Sequence, residues 1–397
     1  MKVLVAHTAY RERGGEDAVV EAEAALLRGA GHEVVEYRRH NDETARMSPA
    51  ALALGTLWSR RGAHDVQALL HAERPQVLHV HNSFPLISPS VHWAAARAGV
   101  AVVQTLHNFR LLCPQAMFLR DGRPCESCLG RAPLPALRHA CYRGSRVQSG
   151  VLVASLVLHR GLGTWANKVQ RFIALSQFAR DKFVQGGLPA GRIAVKPNFV
   201  DVPERPAEAP RAGLLFVGRL APEKGIARLA EAARGLPPNS VQVIGDGPEA
   251  ARLAGVPALV PLGARAAGEV QAAMRGALAL VLPSQSYENF PRTLVEACAN
   301  ALPVIASRLG ALPELVEDGV TGLLADPHDA ADWTARLQWA LAHPQRMAAM
   351  GRAARARYEE RYTAAANLEQ LLAIYDAAIA DASAAARAAG AGGAASA

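Results

Sequence analysis

Two glutamates, Glu288 and Glu296, bracket the start of a helical pattern in the stretch LALVLPSQSYENFPRTLVEACANALPVIAS, which begins at Leu278. An apolar strand ends at Leu282 and polar residues follow. Pro291 then falls at the first helical position, where its missing N–H costs nothing. A helix start attracts anions through unpaired N–H groups and the positive end of its dipole. Glu296, one turn further in, suits a pair of ribose hydroxyls. Alone, the two glutamates would read as a capping acid and an exposed helix acid. Their company changes that. Gly218-Arg219 closes an apolar strand, and Glu223-Lys224-Gly225 opens the next helix. A guanidinium and an ammonium five residues apart beside a helix start suit a diphosphate. Gly245-Asp246-Gly247-Pro248 closes a further strand, where glycines let a flat ring approach the backbone.

Strands alternating with helices must position these residues. Val3–Ala6, His32–Tyr37, Gln76–Val80, Val100–Gln104 and Phe172–Leu175 read as strands, and a helix runs from about Glu16 to Arg28. The same grammar restarts with strands Leu214–Val217, Val241–Ile244, Leu278–Leu282 and Val304–Ala306, and a helix over Lys224–Arg234. Two such series predict two doubly wound α/β domains with ligands at the carboxyl ends of their strands. The proline-rich junction is Lys196–Pro210, and a last helix spans about Ala364–Ile379.

At 397 residues the chain is long enough for two cores. Apolar runs reach only about eight residues, far short of the ~20 a membrane span needs. The opening MKVLVAHTAY reads as a strand rather than a secretion signal, so a cytoplasmic protein is expected. Residues 1–200 carry 25 basic against 14 acidic side chains, a net +11, whereas 201–397 net −3. The basic half is expected to meet an anionic partner: a phosphorylated substrate, a phospholipid surface or nucleic acid. With aromatics at 5% and no recognition motif, nucleic acid is the weakest of the three. Cys113, Cys125, Cys128 and Cys141 have the spacing C-x11-C-x2-C-x12-C in a loop-rich stretch, 112–144. That pattern fits a structural zinc, with an iron–sulfur cluster, disulfide pairs or unliganded redox thiols as alternatives. Val147–Leu162 is apolar and flanked by arginines, which fits either an interfacial helix or a buried one.

Taken together, these motifs resemble the retaining family 4 glycosyltransferases of the GT-B fold, over nearly the whole chain. The matching residues are Val217-Gly218-Arg219-Leu220, Glu223-Lys224-Gly225, Gly245-Asp246-Gly247-Pro248, Glu288 with Glu296, Leu302 to Ala306, Gly14-Gly15 and Gly31 to Val34. The resemblance implies an α/β GT-B architecture, two doubly wound Rossmann-like domains facing across a cleft. The acceptor-side domain would be 1–200 and the donor domain 201–362. A helix over 363–381 would pack back on the first domain, and 382–397 would be a flexible tail. It further implies transfer of a sugar, with retention, from a nucleoside-diphosphate sugar. Arg219 and Lys224 would hold the diphosphate, with Gly14, Gly15, Gly218, Gly245 and Gly247 around the donor. Glu296 would bind the ribose. Glu288, Asn289, Phe290 and His107 would meet the sugar, with Glu288 near its anomeric carbon. No catalytic metal is implied, and the chain has no Asp-x-Asp pair. Where the family has Gly-Phe-Gly, this chain has Asn289-Phe290-Pro291, so one backbone donor is lost. The expected acceptor is a lipid-linked glycan in surface polysaccharide synthesis, reached by peripheral attachment at the inner face of the cell membrane. A nucleotide-sugar 2-epimerase of the same fold is the rival.

Overall fold

A computed structural model describes residues 1–202 and 210–394, with side chains described to residue 388. The chain divides into two units, Met1–Ala116 with Glu126–Lys196 and Asn367–Ala397, and Met117–Cys125 with Pro197–Ala366. Part of the expected proline-rich junction, residues 203–209, lies outside the described residues.

The first unit is built on six parallel strands: β1 (Lys2–Ala9), β2 (Glu33–His40), β3 (Val77–Asn82), β4 (Ala101–Leu106), β7 (Arg171–Ala174) and β8 (Ile193–Val195). Their order is β2-β1-β3-β4-β7-β8. A two-strand hairpin, β5 (Leu119–Arg120) and β6 (Arg123–Pro124), accounts for the gap in numbering. β3 and β4 are buried along their whole length, and their polar side chains His79, His81, Asn82, Gln104 and Thr105 find hydrogen-bond partners inside the unit. The second unit repeats the plan with β9 (Leu214–Val217), β10 (Val241–Ile244), β11 (Leu259–Gly263), β12 (Ala279–Leu282), β13 (Val304–Ser307) and β14 (Gly322–Ala325), ordered β11-β10-β9-β12-β13-β14. Its core packs Phe216, Ile226, Leu229, Trp333, Leu337 and Met347 around that sheet.

In each sheet the strand order reverses once, at β1/β3 and at β9/β12. Loops leaving the carboxyl ends of those strands diverge there, and the crevice they leave is where open α/β sheets hold ligands.

The helix expected over Ala364–Ile379 runs to Ala394, because the alanine-rich sequence that reads as a frayed tail also has the highest helix propensity. Residues 395–397 of that tail lie outside the described residues. This helix belongs to the first unit: Tyr375 bonds His79, and Asp381 pairs with Arg171 at 3.0 Å. Pro291 is the residue before the Arg292–Ala299 helix and not its first position.

Candidate active site

In the second unit, the loops after β9 and β12 are drawn together at the point of reversal. Gln285 donates its backbone N–H to Glu223 O at 2.9 Å. Gly225 has φ +74°, and a Cβ there would sit 1.8 Å from the Pro283 carbonyl oxygen, so only glycine allows this approach. Lys224 Nζ thereby reaches Glu288 Oε1 at 2.7 Å, and Ser284 Oγ donates to the same oxygen at 2.7 Å. Burial alone would raise the Glu288 carboxyl, but the adjacent ammonium outweighs it and holds the pKa below the ordinary range. Exposed Arg219 pairs with Glu223 four residues on. Gly245 packs so tightly on Gly218 that a Cβ would lie 1.9 Å from the Gly218 oxygen.

Arg219, Lys224, Gly218, Gly245, Gly247 and Glu288 therefore all sit at strand ends around β9/β12. Glu296 lies in the second turn of the Arg292–Ala299 helix, 3.1 Å from Arg292 Nε. Burial raises its pKa, and Arg292 only partly offsets this. Asn289 and Phe290 are buried, and the Phe290 ring packs edge-to-face on Tyr362. Ser284 and Arg292 were not legible as site residues, since an isolated serine or arginine carries no spacing signal, and Glu223 was read only as part of the Glu223-Lys224-Gly225 motif.

In the first unit, Gly14 and Gly15 precede and open the Gly15–Gly29 helix at the end of β1. Asp17 ties this loop down by accepting from Gly14 N at 2.8 Å, Tyr10 N at 3.2 Å and His7 Nε2 at 2.8 Å. A Cβ on Gly15 would meet open space, so nothing in the fold itself requires glycine there. His107 follows β4, half-buried, and is hydrogen-bonded to His81 at the end of β3. Asn82 is committed to backbone, donating to Thr8 O and accepting from Phe84 N.

The cysteine stretch holds the β5/β6 hairpin and a short helix, Leu134–Arg138. Cys128 packs with Ala136 and Val153, and half-buried Cys141 joins them. Cys298 is core, its thiol pushed up to about 12 by burial.

Among the described residues, seven of the eight large exposed hydrophobics belong to the first unit, led by Val147 at 79% and Leu54 at 66%. The helix Arg146–Gly161 buries Leu152, Val153 and Leu156 on one face and exposes Val147, Val157 and Leu158 on another. It packs against the Pro49–Leu57 helix. Beside the latter lies an open cavity of about 1130 Å³ whose lining includes Arg39, Arg46, Arg60 and Arg61 together with Asp42 and Glu43, and Glu43 is paired with Arg39. Among the described residues, no helix is long and apolar enough to cross a membrane.

Sequence profiles decide the family. That described as glycosyl transferases group 1 matches residues 203–357, and that of glycosyltransferase family 4 matches 13–204. The chain belongs to the family 4 glycosyltransferases. It is 28% identical over 319 residues to a D-inositol 3-phosphate glycosyltransferase of Segniliparus rotundus, a match covering 76% of this chain and 66% of that one, just under two thirds. It is 27% identical to an alpha-maltose-1-phosphate synthase of Mycolicibacterium smegmatis, covering 85% and 87%. The crystal structure of Anabaena HepE in complex with UDP-glucose superposes with TM-score 0.66 at 19% identity, covering 95% of this chain and all of that one. Its likeness establishes the GT-B fold.

Proposed function

We propose that this glycosyltransferase takes a nucleoside-diphosphate sugar as donor and transfers the sugar with retention. The observation that carries this is the meeting of Arg219, Lys224 and Glu288 at the β9/β12 reversal. Two cations there are balanced only by the protein's own carboxylates, Glu223 and Glu288. An incoming diphosphate would compete for both cations, and they would stabilise it again as the leaving group. Glu296 would take the ribose hydroxyls, and freed Glu288 would face the sugar. His107 would meet a sugar hydroxyl. Because the cations supply the charge neutralisation, transfer needs no divalent ion and should survive EDTA.

The acceptor in this reading carries phosphate, which the basic first unit would hold. Both relatives named above have a sugar or cyclitol phosphate in their names. The exposed apolar side chains beside the arginine-lined cavity favour a lipid-linked phosphate, a glycan carrier of surface polysaccharide synthesis, met by peripheral attachment at the inner face of the membrane. Metal analysis of purified protein tests the zinc expected for the cysteine stretch, with about one equivalent supporting it.

Titration calorimetry with UDP, GDP and ADP, followed by thermal shift with nucleotide sugars, tests the donor. Saturating ligand should raise the melting temperature in proportion to RT ln(1 + [L]/Kd). Failure of every nucleotide to bind would sink the donor reading. Flotation with vesicles containing anionic lipid separates the acceptors: a protein that stays in the soluble fraction points to a soluble sugar phosphate.

A further inference from the structure

Behind His107, at the carboxyl ends of β3 and β4, a line of buried groups has no role in the donor chemistry above. Lys196 Nζ lies 2.6 Å from Glu23 Oε1 and 3.1 Å from Asn367 Oδ1. The other carboxylate oxygen, Glu23 Oε2, is buried without a hydrogen-bond partner and stands 3.7 Å from His81 Nε2. His81 Nδ1 is 2.9 Å from His107 Nε2. Glu23, His81 and Lys196 are all core residues although each is ionisable.

This arrangement dictates where protons sit. Burial, reinforced by neighbouring imidazoles, holds both rings well below the ordinary histidine range, so each is neutral and carries one proton. A hydrogen bond between two neutral imidazoles needs one N–H and one lone pair, leaving two arrangements. In the first, His81 carries Nδ1–H and turns the lone pair of Nε2 onto a buried carboxylate oxygen. In the second, His81 aims Nε2–H at that oxygen, and His107 donates its own Nε2–H to His81 Nδ1. The second aims an N–H dipole at Glu23 Oε2 from 3.7 Å, which is favourable in a buried site, and the first sets two lone pairs against each other.

A divalent cation is the competing occupant, since Glu23, His79 and His81 bring one ligand atom each within 4.8 Å of the others. Three contacts oppose it. The Lys196 ammonium already holds Glu23. Both ring nitrogens of His79 are also engaged, Nδ1 by the Tyr375 hydroxyl and Nε2 by Thr105 Oγ1, each at 2.8 Å.

We propose that Lys196, Glu23 and His81 are positioning residues that lock His107 in its Nε2–H tautomer, so that its Nδ1 lone pair accepts a hydrogen bond from a hydroxyl of the donor sugar. Lys196 fixes the carboxylate, the carboxylate sets the His81 tautomer, and His81 sets that of His107. His107 thus acts as an acceptor and selects for a hydroxyl, not for an ether or a deoxy position. The sugar contact rests on the donor reading above; the tautomer does not.

Long-range ¹H–¹⁵N correlation spectra of protein labelled with ¹⁵N-histidine read the tautomer, and His107→Asn identifies the signal. Wild-type His107 should be Nε2–H. In Glu23→Gln, Lys196 keeps the amide oxygen and the NH₂ group faces His81 Nε2, so both rings should flip and His107 become Nδ1–H. Affinity for the nucleotide sugar should then fall about tenfold, with that for the nucleoside diphosphate alone unchanged within about twofold. A wild-type His107 in the Nδ1–H form would overturn the proposal, and that measurement needs no variant to fold. An unflipped Glu23→Gln would overturn it too. Equal losses for nucleotide and nucleotide sugar would refute the sugar contact. Tautomers that behave as stated, in a protein binding no nucleotide sugar, would uphold the lock and remove the donor reading.

Discussion

The two units solve the same topological problem with opposite chemistry. Each has a single strand-order reversal with candidate site residues on the loops beside it. In the second unit those residues are charged and within reach of solvent: Arg219 with Glu223, and Lys224 with Glu288. In the first they are imidazoles whose pKa burial lowers: His81 bonds His107, His79 bonds Tyr375 and Thr105, and His7 bonds Asp17. Cations that exchange protein carboxylates for a ligand must stay mobile and hydrated. Groups that orient a hydroxyl gain most from burial, where a fixed hydrogen bond is electrostatically strong. One unit is suited to handling charge, the other to handling direction.

The largest test of that contrast is Lys224→Met. Removing one of two charges that stabilise a leaving diphosphate should lower kcat/KM by roughly 10²–10³-fold. Steady-state assays with the donor found by thermal shift check it. A loss below about threefold would mean that the second unit does not act through charge. Gly225→Ala comes next. Its Cβ would strike the Pro283 carbonyl at a positive φ, so the β9 and β12 loops must separate. A destabilisation of about 2–4 kcal/mol is expected in denaturant unfolding. Intact stability with lost nucleotide binding would show that the loops separate freely.

Acid should distinguish the units with a smaller effect. Burial lowers the pKa of His7, His79, His81, His92, His107 and His159, all in the first unit, with His79 and His92 held to about 4. The unfolded chain takes up these protons near 6.5 and the folded one does not. Their stabilisation is complete above 6.5 and is lost as pH falls toward 4, at about 1.4 kcal/mol per pH unit for each proton. Glu16, raised to about 7 by burial, works the other way but is a single group. Glu288 is held low, so its contribution persists down to the ordinary carboxylate range. Hydrogen exchange corrected for intrinsic rates, compared at pH 6.5 and 5, should show opening in the first unit before the second. Equal loss in both would break the comparison.

Four of the six strands of the second unit were readable almost residue by residue. Leu214–Val217 and Val241–Ile244 are found as expected, because short apolar runs between glycine-bearing loops leave little choice of register. β11 and β14 escaped. Leu259–Gly263 has a proline and exposed positions, and Gly322–Ala325 is only four residues long. The histidine line was legible only in part. His107 stood out by its place after a strand, but Glu23 lies mid-helix, where its spacing matches that of any solvent-facing acid. Lys196 is 173 residues away from it.

The sequence by itself determined the two-unit α/β plan, the strand ends that carry Arg219, Lys224, Glu288 and His107, and the family. Each of these depends on local periodicity, glycine placement or short-range motif spacing, all of which survive in one dimension. Tertiary structure alone decided which charges are paired. It joined Lys224 to Glu288 across 64 residues and Glu23 to Lys196 and His81 in one core. It also left a buried carboxylate oxygen of Glu23 without a hydrogen-bond partner, 3.7 Å from His81 Nε2. The physical reason is that burial and the distance between charges set their energies, and both are properties of packing.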